Sequence, residues 1–191
     1  LIYDYFFLSI LFIAVIFSWI EWIKIIEKIR FKKIYRILHI IFFLIYLLMA
    51  FIVCFNVFVI DKYFFLIILM ICVFSDIGGY IFGKILKGPK LTKISPKKTY
   101  SGVFGGYLFS IIVTNFFIDY VDLNFHIEEF VIVIVISTIS QIGDITVSYF
   151  KRLSKLKNTG KLIPGHGGIL DRIDGMIFAF PFFYIINLIN Q

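Results

Sequence analysis

The chain has little of what builds soluble or disulfide-linked domains. Only 16% of its 191 residues are charged, and it has two cysteines and four prolines. Cys54 and Cys72 each lie alone in an apolar stretch without CxxC spacing, so we interpret them as small packing residues rather than metal or redox ligands. No polar segment is long enough for a soluble domain, and no internal repeat or linker is present.

Apolar length is what the chain has instead. It is 61% hydrophobic and 20% aromatic, and a helix needs roughly 20 apolar residues to cross a hydrocarbon core of about 30 Å. We therefore predict an all-α, polytopic integral membrane helix bundle of about six transmembrane helices, forming one domain over 1–191. The six predicted spans are 3–22, 37–60, 63–83, 102–118, 130–149 and 173–189.

The start of the sequence does not resemble a targeting segment. Residue 1 is not methionine, and no small-residue cleavage site follows 1–22. We expect no cleaved signal peptide here, and we expect the sequence to be an N-terminally truncated piece of a longer protein.

The basic residues predict the orientation. The linkers 24–36, 84–100 and 150–172 hold 18 of the 19 Lys and Arg residues. By the positive-inside rule these linkers are cytoplasmic, both termini are outside, and the chain is a multi-pass protein of the cell membrane. Anionic headgroups or anionic cytosolic substrates explain the net charge of +7, so we expect no nucleic-acid partner.

Four carboxylates remain inside or beside the spans after the outer acids and an interface belt at Trp19–Trp22, which includes Glu21, are set aside. They are Asp76, Asp144, Asp171 and Asp174. Separate pairing with Lys or Arg is one explanation. Because all four lie at one depth in three helices, a shared cation site facing the cytoplasm is favoured, and Mg²⁺ between the carboxylates would offset their repulsion.

The fifth predicted span carries a carboxylate, a hydroxyl and a cation at helical spacing. These positions are Asp144, Ser148, and Lys151 or Arg152. Residues at this spacing share one helix face. The segment 153–168 is long enough to fold back as a cytoplasmic hairpin, so we expect Asp144 to face Asp171.

Two turns are candidate phosphate sites. Glycines in the turn at 164–168 let N–H groups approach an anion at the start of a helix. An ordinary tight turn and a structural histidine are the alternatives, but the flanking cations favour phosphate contacts by Gly167 and Gly168 and a phosphate contact or proton donor in His166. The turn at 95–99 precedes the fourth span, and its candidate phosphate contacts are Ser95, Lys97, Lys98 and Thr99. Surface anchoring remains an equal alternative for the two lysines.

Together these motifs resemble the phosphatidate cytidylyltransferase family, also called CDP-diacylglycerol synthase. Its signature S-x-x-K-R, K-D-x-G and P-x-H-G-G-x-x-D-R-x-D is matched at Ser148, Lys151, Arg152, Lys157, Gly160, Pro164, His166, Gly167, Gly168, Asp171, Arg172 and Asp174. The segments SDIGGYIFGK, SPKKTYSG and QIGD also resemble family segments, so the resemblance covers about 74–182. Three residues depart from the pattern: Asn158 replaces Asp, Ser101 replaces Glu and Tyr100 replaces Trp.

The resemblance implies transfer of CMP from CTP to phosphatidate, which gives CDP-diacylglycerol and pyrophosphate. Residues 1–73 would then be N-terminal spans and 74–191 the catalytic part. The implied catalytic residues are Asp144, Asp171, Lys151, Arg152, His166 and Arg172. The implied substrate-binding residues are Ser148, Lys157, Gly167, Gly168, Ser95, Lys97, Lys98 and Thr99. Mg²⁺, with room for a second cation, would bind Asp144, Asp171, Asp76 and Asp174. Membrane lipids are further partners, and a homodimer is an open alternative.

Three other functions remain alternatives. Asp171–Gly175 reads D-x-x-D-G, as in CDP-alcohol phosphatidyltransferases, but 176–181 offers none of the further aspartates of that motif. A CTP-dependent polyprenol or phytol kinase has a related membrane domain. A divalent-cation transporter would use the acids as a path, although all four cluster toward one side.

Overall fold

The computed structural model describes residues 2–92, 95, 98–121, 127–160 and 167–189. Within these ranges the regular structure is helical, apart from isolated bridge residues that include the antiparallel pair Lys90 and Thr99. The helices are α1 (Ile2–Lys28), α2 (Lys33–Ile60), α3 (Lys62–Ile85), α4 (Tyr100–Val121), α5 (Ile127–Leu153), α6 (Leu170–Ile173) and α7 (Met176–Ile189). The predicted all-α membrane bundle is confirmed.

The last predicted span differs from the other five. Helices α1 to α5 are each long and apolar enough to cross a membrane. The segment 173–189 begins instead at the end of the four-residue α6. The helix is interrupted at Asp174–Gly175, and the 14-residue α7 follows. Gly175 packs so closely on Ser140 that a Cβ there would lie 2.3 Å from the serine Oγ. Close packing on α5 thus accompanies the break.

Contacts at opposite ends of the bundle agree with alternating spans. Lys62 Nζ lies 3.9 Å from Asp4 Oδ1, which joins the start of α1 to the start of α3. At the other end Lys98, just before α4, pairs with Asp144 near the end of α5. The predicted polar site therefore lies at the end of the bundle where α1, α3 and α5 finish.

The apolar interior contains two clusters of buried side chains. Cys54 and Cys72 are both buried in one of them, which confirms their interpretation as packing residues. In the other, the Trp22 ring stacks on Phe43 with centroids 3.9 Å apart. The predicted interface belt is wrong for Trp22, because α2 covers this face of α1.

Helices α3 and α4 approach through glycines. A Cβ on Gly78 would lie 2.3 Å from the Gly105 carbonyl oxygen, and a Cβ on Gly105 would lie 2.3 Å from Phe82 Cβ. No side chain larger than hydrogen fits these positions without moving a helix, so the close-packing interpretation holds for Gly78. The contact fixes two walls of the polar cavity described below.

Gly78→Ala tests this contact. The methyl group would press on the α4 backbone, and overpacking of this kind costs about 1–3 kcal/mol. We expect a clear fall in thermal unfolding temperature in detergent. Gly79→Ala is the matched control, because a Cβ there would meet its nearest neighbour at an ordinary 3.5 Å. Equal stability of the two variants would contradict the proposed helix contact.

Candidate functional site

A polar cavity of about 280 Å³ lies between α3, α4, α5 and the segment that precedes α4. Residues from separate sequence motifs line it, among them Asp76, Gly79, Ser95, Lys98, Thr99 and Asp144. Asp76 and Asp144 each lie nine residues before the end of their helix, α3 and α5 respectively. The two predicted site segments thus meet at one depth in the bundle.

The strongest interaction in this cavity joins Lys98 to Asp144. Lys98 Nζ lies 2.5 Å from Asp144 Oδ2 and also donates to the Gln141 carbonyl oxygen at 3.3 Å. Ser148 Oγ donates to Asp144 Oδ1 at 3.2 Å, as the predicted helix face requires. Lys98 is partly buried and lines the cavity, and its contact with a substrate stays a prediction.

A hydrogen-bonded group behind the acids joins α3 to α5. Ser75 Oγ and Ser137 Oγ are 2.8 Å apart, and Gln141 Nε2 donates to both at 3.2 and 3.3 Å. Sequence reasoning missed Ser75 and Ser137, although Ser75 precedes Asp76 and Ser137 is one helical turn before Gln141. The group fixes the separation of the two acid-bearing helices.

The segment before α4 serves the helix as well as the cavity. Thr99 Oγ1 accepts from the Gly102 N–H at 3.1 Å and lies 2.9 Å from Ser101 Oγ. Ser101, which replaces the family's glutamate, donates to the Lys87 carbonyl oxygen. Substrate contacts by Thr99 and Ser95 stay predictions. Lys97 and residues 161–166, including His166, lie outside the described residues.

Asp171 is the centre of a second polar cluster. Lys151 Nζ donates to Asp171 Oδ1 at 2.7 Å, and the N–H groups of Thr159 and Gly168 donate to Oδ2 at 2.8 and 3.0 Å. Lys151 Nζ also lies 3.9 Å from Asp174 Oδ2. The helix face predicted through Lys151 therefore reaches the hairpin.

Asp144 is expected from the sequence to face Asp171, but each of these carboxylates binds a different lysine. Asp144 pairs with Lys98 and Asp171 with Lys151, and Asp174 is the acid whose charge acts on Asp144. Lys151 lies between Asp171 and Asp174 and so connects the two clusters. Asp171 takes one donor from α5, the Lys151 ammonium, and two from the backbone at Thr159 and Gly168.

The donors around Asp171 also set its ionisation. Burial by itself raises the pKa of this carboxyl, but the hydrogen bond from Lys151 and those from the Gly168 and Thr159 N–H groups outweigh it, so the pKa lies below its ordinary value. Because the folded pKa is below the unfolded value of about 3.9, the stabilisation is complete above that value. It is lost as the pH falls through the lowered pKa.

Glu21 is a further residue beside the polar clusters that sequence reasoning missed. Its side chain is only 1% exposed, so its assignment to the interface belt is wrong. Its carboxylate accepts from Thr159 Oγ1 at 2.7 Å, from the Ile169 N–H at 3.1 Å and from the Leu170 N–H at 3.0 Å. The helical spacing could have indicated a buried polar face, because Ser18 precedes Glu21 by three positions on the same face of α1 and is also buried.

Gly167 and Gly168, the described part of the glycine turn, lie against these two carboxylates. Gly167 has φ +90, and a Cβ there would lie 2.6 Å from Asp171 Oδ2. A Cβ on Gly168 would lie 2.1 Å from Thr159 Oγ1 and 2.2 Å from Glu21 Oε2. The N–H groups that follow the turn thus already bind anionic groups of the protein. Phosphate contacts by Gly167 and Gly168 stay predictions.

The remaining predicted cations have different surroundings. Arg152 is exposed, and its Nη1 donates to the Leu156 carbonyl oxygen at 2.8 Å, at the base of the hairpin. Lys157 is exposed on the hairpin. Arg172 is also exposed and lies near enough to Asp76 to stabilise its charge. Among the described residues, Lys98 and Lys151 form ion pairs with these acids.

The acids fit part of a Mg²⁺ site. In the described part of the chain, no three His, Cys, Asp or Glu side chains form a complete metal-binding group. Asp144 nevertheless lies close enough to both Asp76 and Asp174 for their charges to interact. Mg²⁺ commonly takes one or two carboxylates and completes its shell with water and substrate phosphates. Asp144 with one of these neighbours would provide such a partial set.

The fold defines a helical membrane protein in which Lys98 and Asp144 line a polar cavity, while Lys151 and Asp171 form a second charged cluster. The chain matches the Cytidylyltransferase family over residues 1–189, and it belongs to that family.

Relatives with an assigned name agree with this membership. The chain is 45% identical over 114 residues to the phosphatidate cytidylyltransferase of Staphylococcus epidermidis RP62A, which covers 59% of this chain and 44% of the relative. It is 40% identical over 132 residues to the phosphatidate cytidylyltransferase of Rickettsia prowazekii, which covers 64% and 58%. The chain spans about half the length of the curated relatives it matches.

Lys151→Met tests the second cluster. Its side chain is 8% exposed, and its removal leaves two carboxylates without their shared cation. Breaking a buried pair in this way costs about 3–5 kcal/mol, so we expect a strongly lowered unfolding temperature. Lys155→Met removes an exposed charge four residues later and is the control. If both variants unfold like the wild type, the cluster does not stabilise the hairpin.

Proposed function

We propose that this protein is a phosphatidate cytidylyltransferase, which transfers CMP from CTP to phosphatidate and releases pyrophosphate. One observation carries the proposal: Lys98 and Asp144, from two family motifs, form an ion pair in one cavity between α3, α4 and α5. Family membership and the names of the relatives support it.

The chemistry requires little proton transfer. A phosphate monoester is already ionised near pH 7, so the chain must mainly position two anions in line and offset their repulsion. Lys98 and Lys151 are the cations in direct contact with the acids, and Arg172 lies near Asp76. These three would bind the phosphates of the nucleotide and the lipid.

Bound Mg²⁺ would neutralise the nucleotide phosphates and the leaving pyrophosphate. The residues proposed to hold it are Asp144 together with Asp76 or Asp174, whose charges act on Asp144. Asp171 is the fourth ligand predicted from sequence. Both of its oxygens accept hydrogen bonds from the protein, so its metal contact stays a prediction.

The depth of the cavity suits two substrates of different origin. Asp76 lies nine residues before the end of α3, about 14 Å at 1.5 Å per residue. We propose that phosphatidate enters laterally from the inner leaflet while CTP enters from the cytosol. The active site would thus face the cytoplasm.

The test is to incubate the purified protein with CTP, Mg²⁺ and phosphatidate and to measure both products. CDP-diacylglycerol with pyrophosphate supports the proposal, whereas release of CDP would indicate a lipid kinase. Divalent-cation uptake by liposomes, without lipid product, would indicate a transporter.

Asp144→Asn should abolish most of this activity, because an amide binds Lys98 and a cation less strongly than a carboxylate does. Asp119→Asn is the control: Asp119 is exposed near the far end of α4, where it accepts from Asn115. Turnover and membrane insertion are measured for both. Near-wild-type turnover of Asp144→Asn would place the cation site elsewhere.

The proposed orientation has its own test. In a variant with Cys54 and Cys72 replaced by alanine, a cysteine at Lys155 should react with a membrane-impermeant maleimide only after the cells are opened. Lys155 is exposed on the hairpin, so burial would not prevent the reaction. Labelling in intact cells would show that the hairpin lies outside, which is the opposite of the proposed topology.

A further inference from the structure

Glu21 lies on α1, far in sequence from the family motifs, yet its carboxylate ends inside the hairpin that carries them. The side chain is 1% exposed, and within the described residues no basic side chain forms an ion pair with it. Three hydrogen bonds, from Thr159 Oγ1, Ile169 N–H and Leu170 N–H, satisfy the carboxylate instead. Such a buried acid is costly unless its donors are held in place.

A continuous set of contacts links Glu21 to the second polar cluster. Thr159 donates through its hydroxyl to Glu21 at 2.7 Å and through its N–H to Asp171 at 2.8 Å. Asp171 in turn binds Lys151 at 2.7 Å, and Lys151 lies 3.9 Å from Asp174. Displacement of the hairpin at Thr159 would therefore move the charged groups beside the cavity.

Two glycines of the hairpin are shaped around the same carboxylate. A Cβ on Gly160 would lie 2.4 Å from Glu21 Oε1, and a Cβ on Gly168 would lie 2.2 Å from Glu21 Oε2. The backbone thus approaches Glu21 from both sides of the hairpin, and its oxygens are enclosed by donors and by glycine backbone.

We propose that Glu21 is a positioning residue for the reaction: it holds the hairpin and the start of α6 so that Lys151 and Asp171 keep their places. The kinetic part of this inference rests on the proposed function, whereas the part that concerns the hairpin rests on the contacts alone. It makes α1 a component of the catalytic unit as well as a membrane span.

Glu21→Gln is the first variant. Glutamine has the same size but is neutral, and it brings an NH₂ donor to a place where three donors already point. Trypsin should cleave after exposed Lys157 several times faster, because the hairpin is released. The KM for CTP should rise while kcat falls, and kcat/KM should drop at least about tenfold from the loss of hydrogen bonds to a charged group.

Glu27→Gln is the matched control, since it makes the same chemical change on an exposed face of α1. It should show wild-type cleavage and kinetics. A second matched pair is Thr159→Val and Thr159→Ser. Valine removes the donor to Glu21 and should shift cleavage and KM in the same direction as Glu21→Gln, while serine keeps the hydroxyl and should restore both toward wild type.

Three results would overturn the proposal. The first is wild-type cleavage and KM in Glu21→Gln. The second is a fall of kcat alone that matches the decrease in the folded fraction of the protein. A purely structural role would give that result. The third applies if Glu21→Gln does not fold, and is identical behaviour of Thr159→Val and Thr159→Ser. If wild-type protein makes no CDP-diacylglycerol, the proposed function fails, and the cleavage comparison still decides whether Glu21 holds the hairpin.

Discussion

A carboxylate removed from water must be met by donors, and the polar end of this bundle is arranged around that requirement. Three acids meet it in three ways. Asp144 binds the ammonium group of Lys98, Asp171 binds Lys151 together with backbone N–H groups, and Glu21 binds a hydroxyl and backbone N–H groups. A lysine side chain can change partners more readily than a backbone N–H group can. Asp144, which in the described part of the chain binds a lysine without backbone donors, is therefore the acid most easily freed for a ligand.

Helix α5 connects the two polar clusters. Asp144 contributes to the cavity, and Lys151, seven residues later on the same face, contributes to the hairpin. The glycine contact between α3 and α4 fixes the opposite wall, and the Ser75–Gln141 hydrogen bond fixes α3 against α5. The cavity thus adjoins a hairpin whose position depends on hydrogen bonds to Glu21 of α1 and on the ion pair between Lys151 and Asp171.

Sequence alone predicts those parts that rest on short-range rules. Five spans follow from apolar length, because a helix must cross the hydrocarbon core, and the Asp144–Ser148 contact follows from helical spacing. The break at Asp174–Gly175 was not predictable, because it accompanies close packing of Gly175 on Ser140. Glu21 meets residues 138 to 149 positions away, a distance at which no periodicity or local motif carries information.

The enclosure of Glu21 by glycine backbone has an evolutionary consequence. Its oxygens occupy the space that a side chain at Gly160 or Gly168 would need, and its three hydrogen bonds prevent it from turning aside. We therefore expect a larger residue at Gly160 only where position 21 carries a smaller side chain. Gly168 would stay constrained in such a protein, because a Cβ there would also lie 2.1 Å from Thr159 Oγ1.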